Sequence, residues 1–234
     1  MKSITLFCVP YAGASAFVYY KWKPFLNNKI KLHPVELSGR GTRRKSRLYD
    51  DFASATEDIY RQIKDKISDN RYALFGHSMG CWLVYELYYR ILEDNKKTPS
   101  HIFLSGRRAP HHVVKDEVIF HNLPLEEFKE KVVELGGMPP ELLSDPKMMN
   151  LFLPVIISDF KITEKSTYKS KKEKIDCPIH VFSGRGDNVS AEELSSWEDY
   201  SNIGCNIHEF DGDHFFPFKN PEDVVKVINS VLFS

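Results

Sequence analysis

Residues 74–82 read Leu-Phe-Gly-His-Ser-Met-Gly-Cys-Trp, LFGHSMGCW, with a glycine two places before Ser78 and another two places after it. A serine hydroxyl in water is a poor nucleophile, and a G-x-S-x-G match alone is meagre evidence. Its meaning depends on what flanks it and on whether partners for the serine exist downstream. RYALF (71–75) before it reads as a short buried strand, and Trp82 to Leu92 after it as a helix rich in Leu, Val and Tyr. A tight turn between such elements lifts the side chain above the sheet. Gly76 and Gly80 leave room for the close approach of strand and helix.

Working outward, apolar runs and helical periods alternate. SITLFCV (3–9) is a strand candidate, Ser15–Leu26 a helix with Pro24 as a breaker near its end, and IKLHPVEL (30–37) a second strand. Phe52–Ile67 has apolar residues at 52, 55, 59, 63 and 67, a helical spacing. HIFLS (101–105) is a further strand. From about His111 to Lys174 the signals are helical only: LPLEEFKEKVVEL (123–135), a break at GGMPP (136–140), then Pro146–Phe160. The alternation returns with the strand PIHVFSG (178–184), a helix over Ala191–Tyr200, the strand CNIHEF (205–210) and a closing helix over Pro221–Phe233, with Pro in its first turn. This order predicts an α/β fold with a mostly parallel sheet, helices on both faces, and one domain over 1–234 that carries a helical cap at about 111–174.

A nucleophilic serine needs a base, and the base an orienting acid. In strand-turn-helix hydrolases these follow in the order serine, acid, histidine. Of the nine histidines, His77 adjoins the serine and must leave the turn in another direction. His180 and His208 lie within strands, His33 and His101 in or beside early ones. His111, His112 and His121 stand at the entry to the helical insertion, where surface positions are the default. His214, in GDHFFPF (212–218), follows the last strand at the carboxyl edge of the sheet, where ligands gather in open α/β sheets. It is the candidate base. Asp187, three residues past the strand ending near Gly184, is the candidate acid. Asp211 and Asp213 are its rivals, the latter badly placed because it adjoins His214. For an oxyanion, the N–H of Met79 at the helix start is one donor. A second is sought in PYAGAS (10–15), with Ala12 first and Gly13 next.

The totals restrict the alternatives. Lys plus Arg equals Asp plus Glu, 32 against 32, so no net charge draws the chain to nucleic acid or an anionic membrane. The cysteines, at 8, 81, 177 and 205, are too scattered for a disulfide scaffold or a zinc site, which suits a reducing cytoplasm. The apolar run near the N-terminus stops at Pro10 with no cleavage region, and reads as a core strand rather than a signal peptide. No H-E-x-x-H and no P-loop is present, and SGRG (38–41) is not a dinucleotide fingerprint. RRK (43–45) is an ordinary surface patch and the RGD at 185–187 a chance triplet. The lysines at 165, 169, 171, 172 and 174 read as a solvated connection, or alternatively as a dock for an acidic partner.

Seven segments in order, FCVPYAGAS (7–15), VELSGRG (35–41), GHSMG (76–80), SGRRAPH (105–111), LGGMPPELL (135–143), FSGRGDNVS (182–190) and GDHFFPF (212–218), resemble the stand-alone type II thioesterases of nonribosomal peptide and polyketide synthesis. They are also similar to the thioesterase that releases medium-chain fatty acids. The resemblance implies an α/β-hydrolase fold, with Ser78 as nucleophile, Asp187 as acid, His214 as base, and Ala12 and Met79 as oxyanion donors. It implies a cytoplasmic monomer with no cofactor of its own, whose substrates are acyl groups on the phosphopantetheine arm of carrier proteins in a modular synthase. Three departures bear on cap behaviour and acyl preference: Ser38 where the family has proline, Ala14 where it has glycine, and Ile157 where it has arginine. A general esterase, peptidase or acyltransferase would use the same triad, and a non-catalytic binding protein of this fold would usually lack one of its members.

Overall fold

The computed structural model describes residues 3–67, 71–112, 118–137 and 145–233. Residues 138–144, which include the end of GGMPP and most of LGGMPPELL, lie outside them. Six strands, β1 (Ile4–Val9), β2 (Ile30–Pro34), β3 (Tyr72–His77), β4 (Ile102–Ser105), β5 (Ile179–Gly184) and β6 (Cys205–Phe210), form one sheet in the order β2-β1-β3-β4-β5-β6. Every neighbouring pair is parallel. Both faces of such a sheet must be covered, which is why its central strands are near-continuous apolar runs.

Alternate residues of β1 serve opposite faces. Phe7 and Val9 join a core with α1 (Phe52–Ile67), α2 (Met79–Glu93) and Trp197. Ile4, Leu6 and Cys8 join another with Tyr19, Trp22 and the closing helix. The helical period read over Phe52–Ile67 is the buried face of α1, with Phe52, Ala55, Ile59, Ile63 and Ile67 all inside.

Between β4 and β5 lie a 3-10 turn (Phe120–Asn122), α3 (Leu125–Glu134) and α4 (Pro146–Glu164), with a small apolar core of Phe128, Val132, Leu153 and Ile156. α4 starts at an Asp145 cap, whose carboxylate accepts from the amides of Lys147 and Met148. It continues four residues beyond the predicted end at Phe160. After β5 come α5 (Ala191–Ser195), opened by a capping box of Ser190 and Glu193, and a 3-10 helix, Ser196–Tyr200. A single turn, α6 (Phe216–Lys219), and α7 (Pro221–Phe233) close the chain. Among the described residues, no helix is long and apolar enough to cross a membrane.

Three boundaries differ from expectation. The segment Ser15–Leu26 is a shorter 3-10 helix, Ala16–Trp22, capped by the Ser15 hydroxyl, which accepts from the Phe17 amide at 3.2 Å. β3 runs on to His77 because Gly76 and His77 pair with Leu104 and Ser105 of β4. α2 starts at Met79, not Trp82, so no residue separates the serine from the helix. Topology places the site. The chain runs from β1 to β2 on one side and then to β3 on the other, so the connections leaving β1 and β3 diverge. The crevice at such a switch point is where open α/β sheets take ligands. The loop carrying Ala12 leaves β1, and Ser78 leaves β3.

Candidate active site

Ser78 has φ 54 and ψ −115, a left-handed conformation that is uncommon for a residue with a side chain. The surrounding structure holds it there. Its N–H donates to the Ser105 carbonyl at 2.8 Å, and its carbonyl accepts from Cys81 at 3.0 Å. A methyl group on Gly76 would stand 2.2 Å from the Gly80 carbonyl oxygen, and one on Gly80 would stand 2.3 Å from that of Val9. Strand, turn and helix are therefore in backbone contact, and the two glycines are required by that approach. Ser78 is half-buried at the turn's apex, while the strand before it is buried throughout.

His214 sits on the loop after β6, and its Nδ1 lies 2.9 Å from Asp187 Oδ2. The Asp187 side chain is 5% exposed against 22% for His214, so the carboxylate backs the ring and the ring faces the open side. The other Asp187 oxygen accepts from the Asn188 amide at 2.8 Å. The two rival carboxylates are engaged elsewhere. Asp211 pairs with Arg185 at 2.5 Å, while Asp213 accepts from the Phe215 amide and pairs with Lys219.

Ser78, Asp187, His214, Ala12 and Met79 all line one cavity of about 630 Å³. The segment between β4 and β5 contributes Val118, Ile119, Phe120, Leu135 and Phe160 to its lining, interleaved with Glu134, Thr163 and Glu164. Arg107 lies over the Trp82 ring at 4.2 Å. Between the two candidate oxyanion amides of the first loop the geometry discriminates: the Gly13 N–H is spent on Asp159 Oδ2 at 2.7 Å. His111 instead bonds the Tyr200 hydroxyl at 2.6 Å, and His121 the Glu164 carboxylate at 2.5 Å.

Two features went unread in the sequence. The His77 ring is fully buried directly beside His214, with ring centroids 4.9 Å apart, and its Nδ1 bonds the Ser105 hydroxyl at 3.0 Å. Burial pushes its pKa well below the usual histidine range, and the neighbouring His214 pushes the same way. The second is an ion pair, Arg40 with Asp159, which no local pattern joins across 119 residues of chain. An acid within the apolar run IISDFKI (156–162) was the available signal.

The three departures fit their places. Ser38 donates its N–H to the Tyr49 hydroxyl at 2.9 Å and its own hydroxyl to the Arg47 carbonyl, bonds that proline lacks. Ala14 is not among the residues of positive φ, so a side chain is tolerated. Ile157 packs against the small core of α3 and α4.

The chain is also similar to known proteins over nearly its whole length. A thioesterase domain model matches residues 4–232. The chain is 31% identical to the gramicidin S biosynthesis protein GrsT of Aneurinibacillus migulanus over 224 residues, 95% of this chain and 86% of that one. It superposes on the crystal structure of ClbQ from the colibactin NRPS/PKS pathway with a TM-score of 0.94 and 36% identity, covering 99% and 97% of the two chains. It also superposes on the type II thioesterase BorB from the borrelidin biosynthetic cluster with a TM-score of 0.87 and 26% identity, covering 98% and 93%. A serine held at a strained strand-to-helix turn, a carboxylate-backed histidine lining the same cavity, and a family match over nearly the whole chain lead to one conclusion: this α/β-hydrolase chain belongs to the thioesterase domain family and is a hydrolase of thioesters.

Proposed function

We propose that the chain is a serine thioesterase that removes acyl, aminoacyl or peptidyl groups from the phosphopantetheine arm of carrier proteins, clearing misprimed or stalled modules of a synthase. The observation that carries this reading is the His214–Asp187 bond of 2.9 Å in the cavity that Ser78 also lines. In this reading the Ser78 hydroxyl attacks the thioester carbonyl and passes its proton to His214 Nε2. Asp187 holds the ring and stabilises its charged form. The N–H groups of Ala12 and Met79 receive the oxyanion, each worth on the order of 3–4 kcal/mol at the transition state. The C–S bond then breaks and the thiol leaves with the proton from His214. Water attacks the acyl ester and loses a proton to the same ring; the bond between the carbonyl carbon and Ser78 Oγ then breaks, His214 returns that proton to Oγ, and the carboxylic acid departs. His77 stays neutral beneath His214, so it does not repel the proton that His214 takes up.

The apolar side chains of Val118, Ile119, Phe120, Leu135 and Phe160 in the lining suit an acyl chain, and the names of GrsT, ClbQ and BorB favour a carrier-bound substrate over a free ester. The test is a panel of carrier proteins with different acyl loads, read by intact mass, beside simple oxyesters and peptides with the same acyl group. Carrier thioesters are expected to be unloaded most efficiently. Faster turnover of the oxyesters would make the protein a general esterase, and release of peptides alone a peptidase.

A further inference from the structure

The helical wall of the cavity and the loop carrying Ala12 are joined by a buried ion pair. Asp159 on α4 and Arg40 after β2 each expose 1% of the side chain. Arg40 donates through Nη1 and Nη2 to Oδ2 and Oδ1 of Asp159, at 2.5 and 2.8 Å, two parallel bonds. It is itself held by carbonyls: Nε donates to Ser38 at 3.2 Å, Nη1 to Ala14 at 3.5 Å. Asp159 Oδ2 has one further partner, the Gly13 amide at 2.7 Å.

That amide lies inside a turn. The Ala14 N–H donates to the Tyr11 carbonyl at 3.1 Å, and Gly13 has φ +82. A bond from residue four to residue one with positive φ at the third position is the signature of a type II turn. Types I and II differ by a flip of the central peptide plane, here the one between Ala12 and Gly13. By accepting the Gly13 N–H, the carboxylate selects the type II form and ties the turn to α4 at the residue next to Ala12; the Ala12 N–H, on the preceding peptide, is held by that anchoring rather than by the flip. α4 also lies flush on the turn: a methyl on Gly13 would stand 2.6 Å from Ile156 Cγ1. A buried ion pair is by itself weak evidence of stabilisation, since desolvation offsets the attraction. Its use here lies in what the carboxylate holds.

We propose that Asp159, oriented by Arg40, is a positioning residue for the reaction: it fixes the turn that presents the Ala12 N–H to the oxyanion. The inference rests on Ala12 being an oxyanion donor, as proposed above. Two ligands separate its effect from simple folding: an acyl trifluoromethyl ketone, which adds Ser78 to form a tetrahedral oxyanion, and the matching thioether, which has no carbonyl. In the double variant Arg40→Met/Asp159→Leu both charges are gone, so no lone buried ion remains and melting stays near that of the parent. Its affinity for the ketone and its kcat are expected to fall on the order of 10- to 100-fold, with thioether affinity unchanged. Arg40→Met/Asp159→Asn, which keeps a carbonyl acceptor for Gly13 and leaves no lone buried charge, recovers part of the loss. Parental ketone affinity in the double variant, or equal losses for ketone and thioether, would overturn the proposal. Ala12→Pro tests the underlying reading separately, because proline suits the second position of a type II turn and removes only the N–H. If Ala12→Pro binds the ketone normally, Ala12 is not a donor. If it binds weakly while the double variant binds normally, the role of Asp159 alone is wrong.

Discussion

Gly80→Ala is the substitution whose consequence the structure specifies most closely. The added carbon would lie 2.3 Å from the Val9 carbonyl oxygen and 3.0 Å from both the Val9 carbonyl carbon and the Pro10 carbonyl oxygen. These are backbone atoms at the end of a fully paired central strand, so no rotamer change relieves the clash. Restoring ordinary contact requires a displacement of about 1 Å between α2 and the end of β1. Overpacking of this kind costs about 1–3 kcal/mol. At roughly 3 °C per kcal/mol for a domain of this size, the melting temperature should fall by roughly 3–9 °C. The same displacement moves the two proposed oxyanion amides relative to each other, since Met79 opens α2 and Ala12 follows β1 by three residues. Misplacement by about 1 Å can cost on the order of 100-fold in rate. Thermal unfolding followed by calorimetry, with thioester hydrolysis measured well below the transition, reads both effects. A variant with unchanged melting and unchanged kcat would refute the claim that backbone contact at the turn organises the site.

Other outcomes follow from the same geometry. Asp187→Asn should lower kcat severely, on the order of 10⁴-fold as in other triads, whereas Asp211→Asn should stay near the parent; steady-state kinetics showing the reverse order would move the acid to Asp211. Burial, reinforced by His101 and His208, pushes His180 down to about 4, so the unfolded chain takes up this proton first as pH falls. Stability should be complete above about pH 6.5 and decline towards pH 4, by at most about 3 kcal/mol from this group at that pH, with the buried His77 adding in the same direction. Urea titrations across that range should show the slope, and His180→Phe should make it shallower, leaving the part due to His77. Ser38→Pro would remove the bonds to Tyr49 and to the Arg47 carbonyl at a buried position, a loss of about 1–3 kcal/mol by the same denaturation assay.

Much of this site is legible in the chain because its chemistry is local to strand ends. Ser78 follows its strand directly, and Asp187 and His214 follow theirs within four residues, so the order of strands and helices already places all three at one edge of the sheet. Element boundaries were harder where tertiary contact overrides pattern. Met79 joins α2 because the turn leaves no room for a linker, and Ser15–Leu26 tightens to a 3-10 helix although its composition would suit an α-helix. The least legible features are those made by distant partners. Nothing near His77 says that it lies beneath His214, and nothing near Arg40 says that it meets Asp159. Pairing of that kind is set by how α4 and the loops after β1 and β2 close over the switch point, which the spacing of residues does not encode.

The central claim is that Ser78 carries the acyl group between the two halves of the reaction. Mixing the protein with an acyl thioester, quenching rapidly with acid and mapping peptides by mass spectrometry tests it directly. The expected result is one acyl group per chain, on the peptide containing residues 74–82, absent together with turnover in Ser78→Ala. An adduct on another residue, or hydrolysis at the parental rate in Ser78→Ala, would contradict it.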